Sequence, residues 1–87
     1  MKTSIQNNYQ NIRNMIKTNV DTIILLVEQA QGLEQIVNNI SDNEANSDLK
    51  NKLENQIAEL RKTIADLVKQ TESLFESYDE MVQSAFK

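Results

Sequence analysis

The residues of this chain best equipped for chemistry lie near its C-terminal end. Glu72, Glu76, Asp79 and Glu80 bring four carboxylates together, with no basic residue among them. Glu72, Glu76 and Glu80 repeat at i, i+4, so on a helix they share one face. Carboxylates so spaced could serve acid–base catalysis or hold a divalent cation. Both uses ordinarily recruit histidine, the commonest general base and metal ligand, and di-metal carboxylate sites in helical bundles add it to their glutamates. The chain has no His and no Cys. The usual nucleophile–base pairs cannot be assembled, and there is no thiolate metal site or disulfide framework. The cluster reads as a solvated acidic face, and the chain as a non-enzyme with no catalytic, cofactor-binding or metal-binding residues. These carboxylates occupy the C-terminal third of a helix, where the helix dipole favours cations. A basic partner surface would offset that mismatch; plain solubility is the simpler purpose.

Two heptad stripes supply the elements that position these side chains. One is Ile5, Tyr9, Ile12, Ile16, Asn19, Ile23, Leu26, Ala30, Leu33, Val37 and Ile40. The other is Leu49, Leu53, Ile57, Leu60, Ile64, Leu67, Thr71, Leu74, Tyr78, Met81 and Ala85. A 3-4 spacing keeps each set on one helical face. Folded back near Ala45, the stripes pair in order: Leu33 with Ile57, Leu26 with Ile64, Ile23 with Leu67, Ile12 with Tyr78. The polar interruptions Asn19 and Thr71 fall opposite each other. Polar residues in an apolar seam commonly fix register, and a partner-facing hydrogen bond is the alternative use. The expected fold is all-α, an antiparallel two-helix hairpin of coiled-coil type. It is a single domain with a first helix over about 4–40, a turn over about 41–47 and a second helix over about 48–85. Each helix would be about 55 Å long.

Caps are expected at Thr3 or Ser4 for the first helix, and at Ser41 with Glu44, or Ser47 with Asp48, for the second. Gly32, the only glycine, implies close approach of the second helix or a slight bend, with a hinge as the functional alternative. Tyr9 and Tyr78 lie near the open end, where their hydroxyls would reach water.

A hairpin of 87 residues builds a small core. Net charge is −4, which disfavours nucleic acid and anionic membrane surfaces as ligands. The longest apolar run, Ile23 to Val27, is far shorter than the roughly 20 residues of a membrane span. The first ten residues show no signal-peptide pattern. The expectation is a cytoplasmic protein, or one that leaves the cell without a cleaved signal.

Both helices carry more apolar surface than one seam can bury. Val20, Ile24 and Val27 form a second stripe, with Leu25 pointing almost opposite Ile23. The second helix adds Ala65, Val68, Phe75, Val82 and Phe86. Aligned exposed stripes usually mark interaction surfaces. Two occupants fit: a second copy, giving a homodimeric four-helix bundle, or a different helical partner.

Phe75 and Asp79 form an F-x-x-x-D spacing near the end of the second helix, outside the seam. The chain opens with Ser4-Ile5-Gln6-Asn7-Asn8. With the hairpin length, these features resemble the small α-helical targeting factors that accompany LXG toxins of type VII secretion, a WXG-like family lacking the W-x-G turn. The chain has no Trp, and its turn is the Asn/Asp-rich segment from Ser41 to Asp48. The resemblance implies a chaperone-like protein that binds the helical N-terminal domain of an LXG toxin, alone or with a second small helical protein. It implies that Phe75 and Asp79 belong to the export signal and that the protein is secreted with its cargo. The competing reading is a self-assembling coiled-coil scaffold or structural adaptor.

Overall fold

Unbroken heptads without proline leave the backbone little alternative to long helices. The computed structural model contains two, α1 (Lys2–Asn39) and α2 (Ser47–Ala85), joined through one 3-10 turn at Glu44–Asn46. It describes the backbone of residues 2–86 and the side chains of residues 6–86. The helices pack antiparallel as a hairpin 65 Å long and 15 by 13 Å across. The fold is thus the all-α, coiled-coil-like hairpin that the stripes imply. The side-chain caps expected at Thr3 or Ser4, and the seam position expected for Ile5, lie outside the described side chains.

The turn is built by asparagines, not by the expected serines. Asn43 is extended (φ −140°, ψ 168°), and its side-chain oxygen accepts from the Asn46 N–H at 3.1 Å. The Asn46 side-chain amide in turn donates to the Ser41 carbonyl at 3.0 Å. Ser47 is already helical (φ −63°, ψ −40°), so its hydroxyl donates back to the Glu44 carbonyl at 3.2 Å. A cap needs a non-helical backbone and a short acceptor side chain, and Asn43 supplies both.

Within the seam, α1 contributes heptad positions a (Tyr9, Ile16, Ile23, Ala30, Val37) and d (Ile12, Asn19, Leu26, Leu33, Ile40). All of these are buried or half-buried. In α2 the a positions are Ile57, Ile64, Thr71, Tyr78 and Ala85, and the d positions are Leu53, Leu60, Leu67, Leu74 and Met81. Of these only Ala85, in the last turn, is exposed. Leu49 is a correction: it is 51% exposed. Two successive steps of four rotate past the seam, so the a position seven residues before Ile57 falls to Lys50. Its stem is half-buried, and its ammonium lies 3.6 Å from Asp42 Oδ1.

The open end is pinned by a hydrogen bond. The Tyr9 hydroxyl donates to the Met81 carbonyl at 2.6 Å, and the Tyr9 and Tyr78 rings meet edge to face with centroids 5.6 Å apart. The hydroxyl of Tyr9 therefore bonds across the seam and not to water, as its position near the chain end had suggested. The pairing sets the register: a residue of α1 lies level with the α2 residue whose number complements it to about 90.

The core is thin. Among the described residues, Ala30 and Ile57 are the buried apolar ones, and Thr71 is the buried polar one. The accessible surface is 6922 Å², against about 5,200 Å² for a compact protein of this mass. The radius of gyration is 19.6 Å, against about 12 Å for a globule. Gly32 is not explained by packing, since nothing lies within 4 Å of where its Cβ would be. The expected close approach of the second helix is therefore absent.

Three substitutions test this arrangement by thermal and urea unfolding. Gly32→Ala should stabilise by about 0.5–1 kcal/mol, because only the helix-propensity penalty is removed. Ile57→Ala should cost about 2–5 kcal/mol, while Leu49→Ala should change stability by less than about 0.5 kcal/mol. A large loss at Leu49 would refute the seam assignment.

Candidate functional site

A heptad side chain outside a and d must lie on one or other flank of the rod. Positions e and b fall on one flank, g and c on the other. The ion pair between Arg61 and Glu34 joins two e positions, one from each helix. Steps of seven from that pair reach Val27, Val20 and Arg13 on α1 and Val68, Phe75 and Val82 on α2, all e positions. The surplus stripes of both helices therefore run along the same flank.

Two grooves of the structure lie along this row, and others open on the opposite flank. Arg13, Ile16, Lys17, Phe75 and Tyr78 line one. It continues through Arg13 and Tyr78 into a second at the open end, bounded by Tyr9, Val82 and Phe86. Ile24, Ala65 and Phe86 occupy b positions on the outer margin of the same flank. Exposure varies along the row: Phe86 88%, Ile24 52% and Phe75 50%, with Val20 and Val68 each 38%. Val27 and Val82 are half-buried and Ala65 is exposed. Phe75 (e) and Asp79 (b) both belong to this flank, so the ring is continuous with the apolar row and the carboxylate borders it.

Leu25 does not join the others. It is 54% exposed but occupies a c position on the opposite flank. That flank is otherwise uncharged and polar near the seam, with Thr22, Gln29, Gln56, Thr63, Gln70, Ser77 and Ser84 at its g positions. Met15, Ile36 and Leu49 are its exposed apolar residues, and Met15 and Ile36 lie three heptads apart.

Charge is also arranged along the apolar flank. Arg13 and Lys17 border it on α1, and Glu72 and Asp79 border it on α2 at nearly the same height. Reading the stripes as apolar sets alone overlooked Arg13 and Lys17; their e and b heptad positions were the available signal. Among the described residues, no cluster of three or more Asp, Glu, His or Cys is placed to hold a metal ion. No described helix is long and apolar enough to cross a membrane.

The Asn19–Thr71 layer is polar without a bond between its members. Thr71 is buried, and its hydroxyl donates to the Leu67 carbonyl at 2.7 Å within its own helix. Asn19 is half-buried and lines an open groove together with Gln70, Ser73, Leu74 and Ser77. Back-bonding of this kind is the standard outlet for a mid-helix threonine. It leaves the register to the apolar layers and Tyr9.

No family model, no curated protein and no solved structure matches this chain. The flank itself therefore carries the functional reading.

The polar layer yields a measurable expectation. In a double-mutant cycle of Asn19→Ala and Thr71→Ala, the coupling energy should stay below about 1 kcal/mol, since no hydrogen bond joins the two and only packing within the layer couples them. A coupling above about 1 kcal/mol would show that the two side chains do act as a pair.

Proposed function

We propose that this chain is a non-enzymatic helical partner protein. Its e/b flank docks on the helical N-terminal domain of an LXG-type toxin and helps present it for type VII secretion. The observation that carries this reading is the continuity of one flank: Val20, Ile24, Val27, Ala65, Val68, Val82 and Phe86 share it with Phe75 and Asp79. A docking row that runs into an outward-facing aromatic–carboxylate pair joins cargo binding and signal display on one surface. Fully burying an exposed Val, Ile or Phe side chain is worth up to about 1.5–3 kcal/mol, and the flank exposes five, Val20, Ile24, Val68, Phe75 and Phe86, enough to meet the lower estimates of association cost. In this reading the protein works in the cytoplasm as a chaperone-like, WXG-like targeting factor and leaves with its cargo, needing no cofactor.

The second reading is a self-assembling scaffold or adaptor, favoured by the surface in excess of a compact fold. Affinity capture from the native cell distinguishes them. The wild type should bring down a large protein with a helical N-terminal domain, and Ile24→Asp/Val27→Asp should lose it while keeping its helical circular dichroism. Asp79→Ala should retain the complex but lose export. Normal export of that variant would remove Asp79 from the signal, and recovery of this chain alone would favour the scaffold.

A further inference from the structure

We infer that in the free protein the e/b flank is covered by a second copy of this chain. The copy lies parallel, so that α1 of each meets α2 of the other. This rests on the reading of that flank as a docking surface and adds its resting state: a symmetric four-helix dimer that an incoming cargo must open.

Charge and register select this occupant and its direction. Two hairpins can meet on this flank about a two-fold axis along the rod or across it. With the axis along the rod, α1 faces α2 of the partner at the same height. The outer b positions then oppose one another in order: Lys17 with Glu72, Ile24 with Ala65, Gln10 with Asp79. Each pair falls within one residue of level in the register set by Tyr9 and Met81. Cation meets anion, apolar meets apolar, and an amide meets a carboxylate, each twice by symmetry. At the centre, the e positions lay Val20 against Val68, Arg13 over the Phe75 ring, where a cation is favourable, and Val27 beside Arg61, which keeps its own partner Glu34.

With the axis across the rod, α1 faces α1 and α2 faces α2. Centring that arrangement on the apolar row lays Arg13 over Val27 and Lys17 over Ile24, stranding four charges on aliphatic side chains. Burying a charge without a partner is costly, so the parallel arrangement wins.

The area is sufficient. A flank 65 Å long and about 15 Å wide has a projected area of about 1,000 Å² per copy along its whole length, of the order of the roughly 800 Å² per partner of a standard stable interface. The same copy would hide part of the surface that this chain holds beyond a compact protein of its mass.

The test uses the purified full chain. Light scattering at about 100 µM, well above the Kd of even a weak dimer near 10 µM, should give twice the 10.0 kDa chain mass. Ile24→Asp should be monomeric with unchanged helicity. Lys17→Glu and Glu72→Lys should each weaken the dimer about tenfold, as rim ion pairs repeated by symmetry allow. The combined swap should recover to within about threefold of wild type.

Direction is read separately. The chain has no Cys, so spin labels at Ala45→Cys report on the turn alone. Parallel copies place the two turns side by side, with labels within about 30 Å given helix spacings of 8–10 Å. Antiparallel copies place them at opposite ends of a 65 Å rod.

A monomeric wild type, a combined swap that stays weak, or a distance near the rod length would each overturn the parallel dimer. A monomer that still captures a toxin domain would overturn the dimer and leave the docking reading intact. A parallel dimer that captures none would do the reverse.

Discussion

Two helices packed along one line can hide only one stripe of each, and everything else in this molecule follows from that limit. The a and d side chains meet along the seam, yet most remain half-buried because no third layer covers them. Among the described residues, Ala30 and Ile57 are the apolar ones that come nearest to full burial. Side chains beyond the seam are sorted to one flank or the other by their heptad letter. A helix pair of this length has no way to fold its surplus apolar surface back onto itself.

That sorting gives the rod two unlike sides. One bears the valines, Ile24, Phe75 and Phe86, bordered by cations on α1 and anions on α2. The other bears threonines, glutamines and serines beside the seam. The Glu34–Arg61 ion pair sits where the apolar row gives way toward the turn. With both side chains substantially exposed, it contributes little to stability. It does mark the boundary of the apolar row. Polar interruptions within the seam are handled locally: Thr71 bonds its own helix, and the cross-seam hydrogen bond comes from Tyr9 at the open end.

The family resemblance and the flank bear on each other without depending on each other. Phe75 and Asp79 would be an unremarkable spacing on any helix. Their interest here comes from sharing a flank with a row of apolar residues drawn from both helices, a property that belongs to the hairpin and not to the motif.

Much of the fold was legible in the sequence. A period of 3.5 residues sustained over both halves requires two helices with one stripe each, and complementary polar gaps require antiparallel pairing. The absence of Pro and the single Gly leave the chain free to form them. The details that failed were those that depend on backbone geometry or on a second element. Leu49 and Lys50 compete for one seam position, and the rotation of α2 gives it to the lysine. Asn43 caps because its backbone is extended, which no residue type announces. Tyr9 finds a carbonyl from the other end of the chain. The surplus stripes could be recognised one helix at a time, but Leu25 looks like a member until the seam fixes which way α1 is turned. Local periodicity, in short, is written in the order of residues. The sharing of a flank by Val20 with Phe75, and by Lys17 with Glu72, exists only once two helices are locked in register and rotation, because it is a relation between side chains that are far apart in sequence.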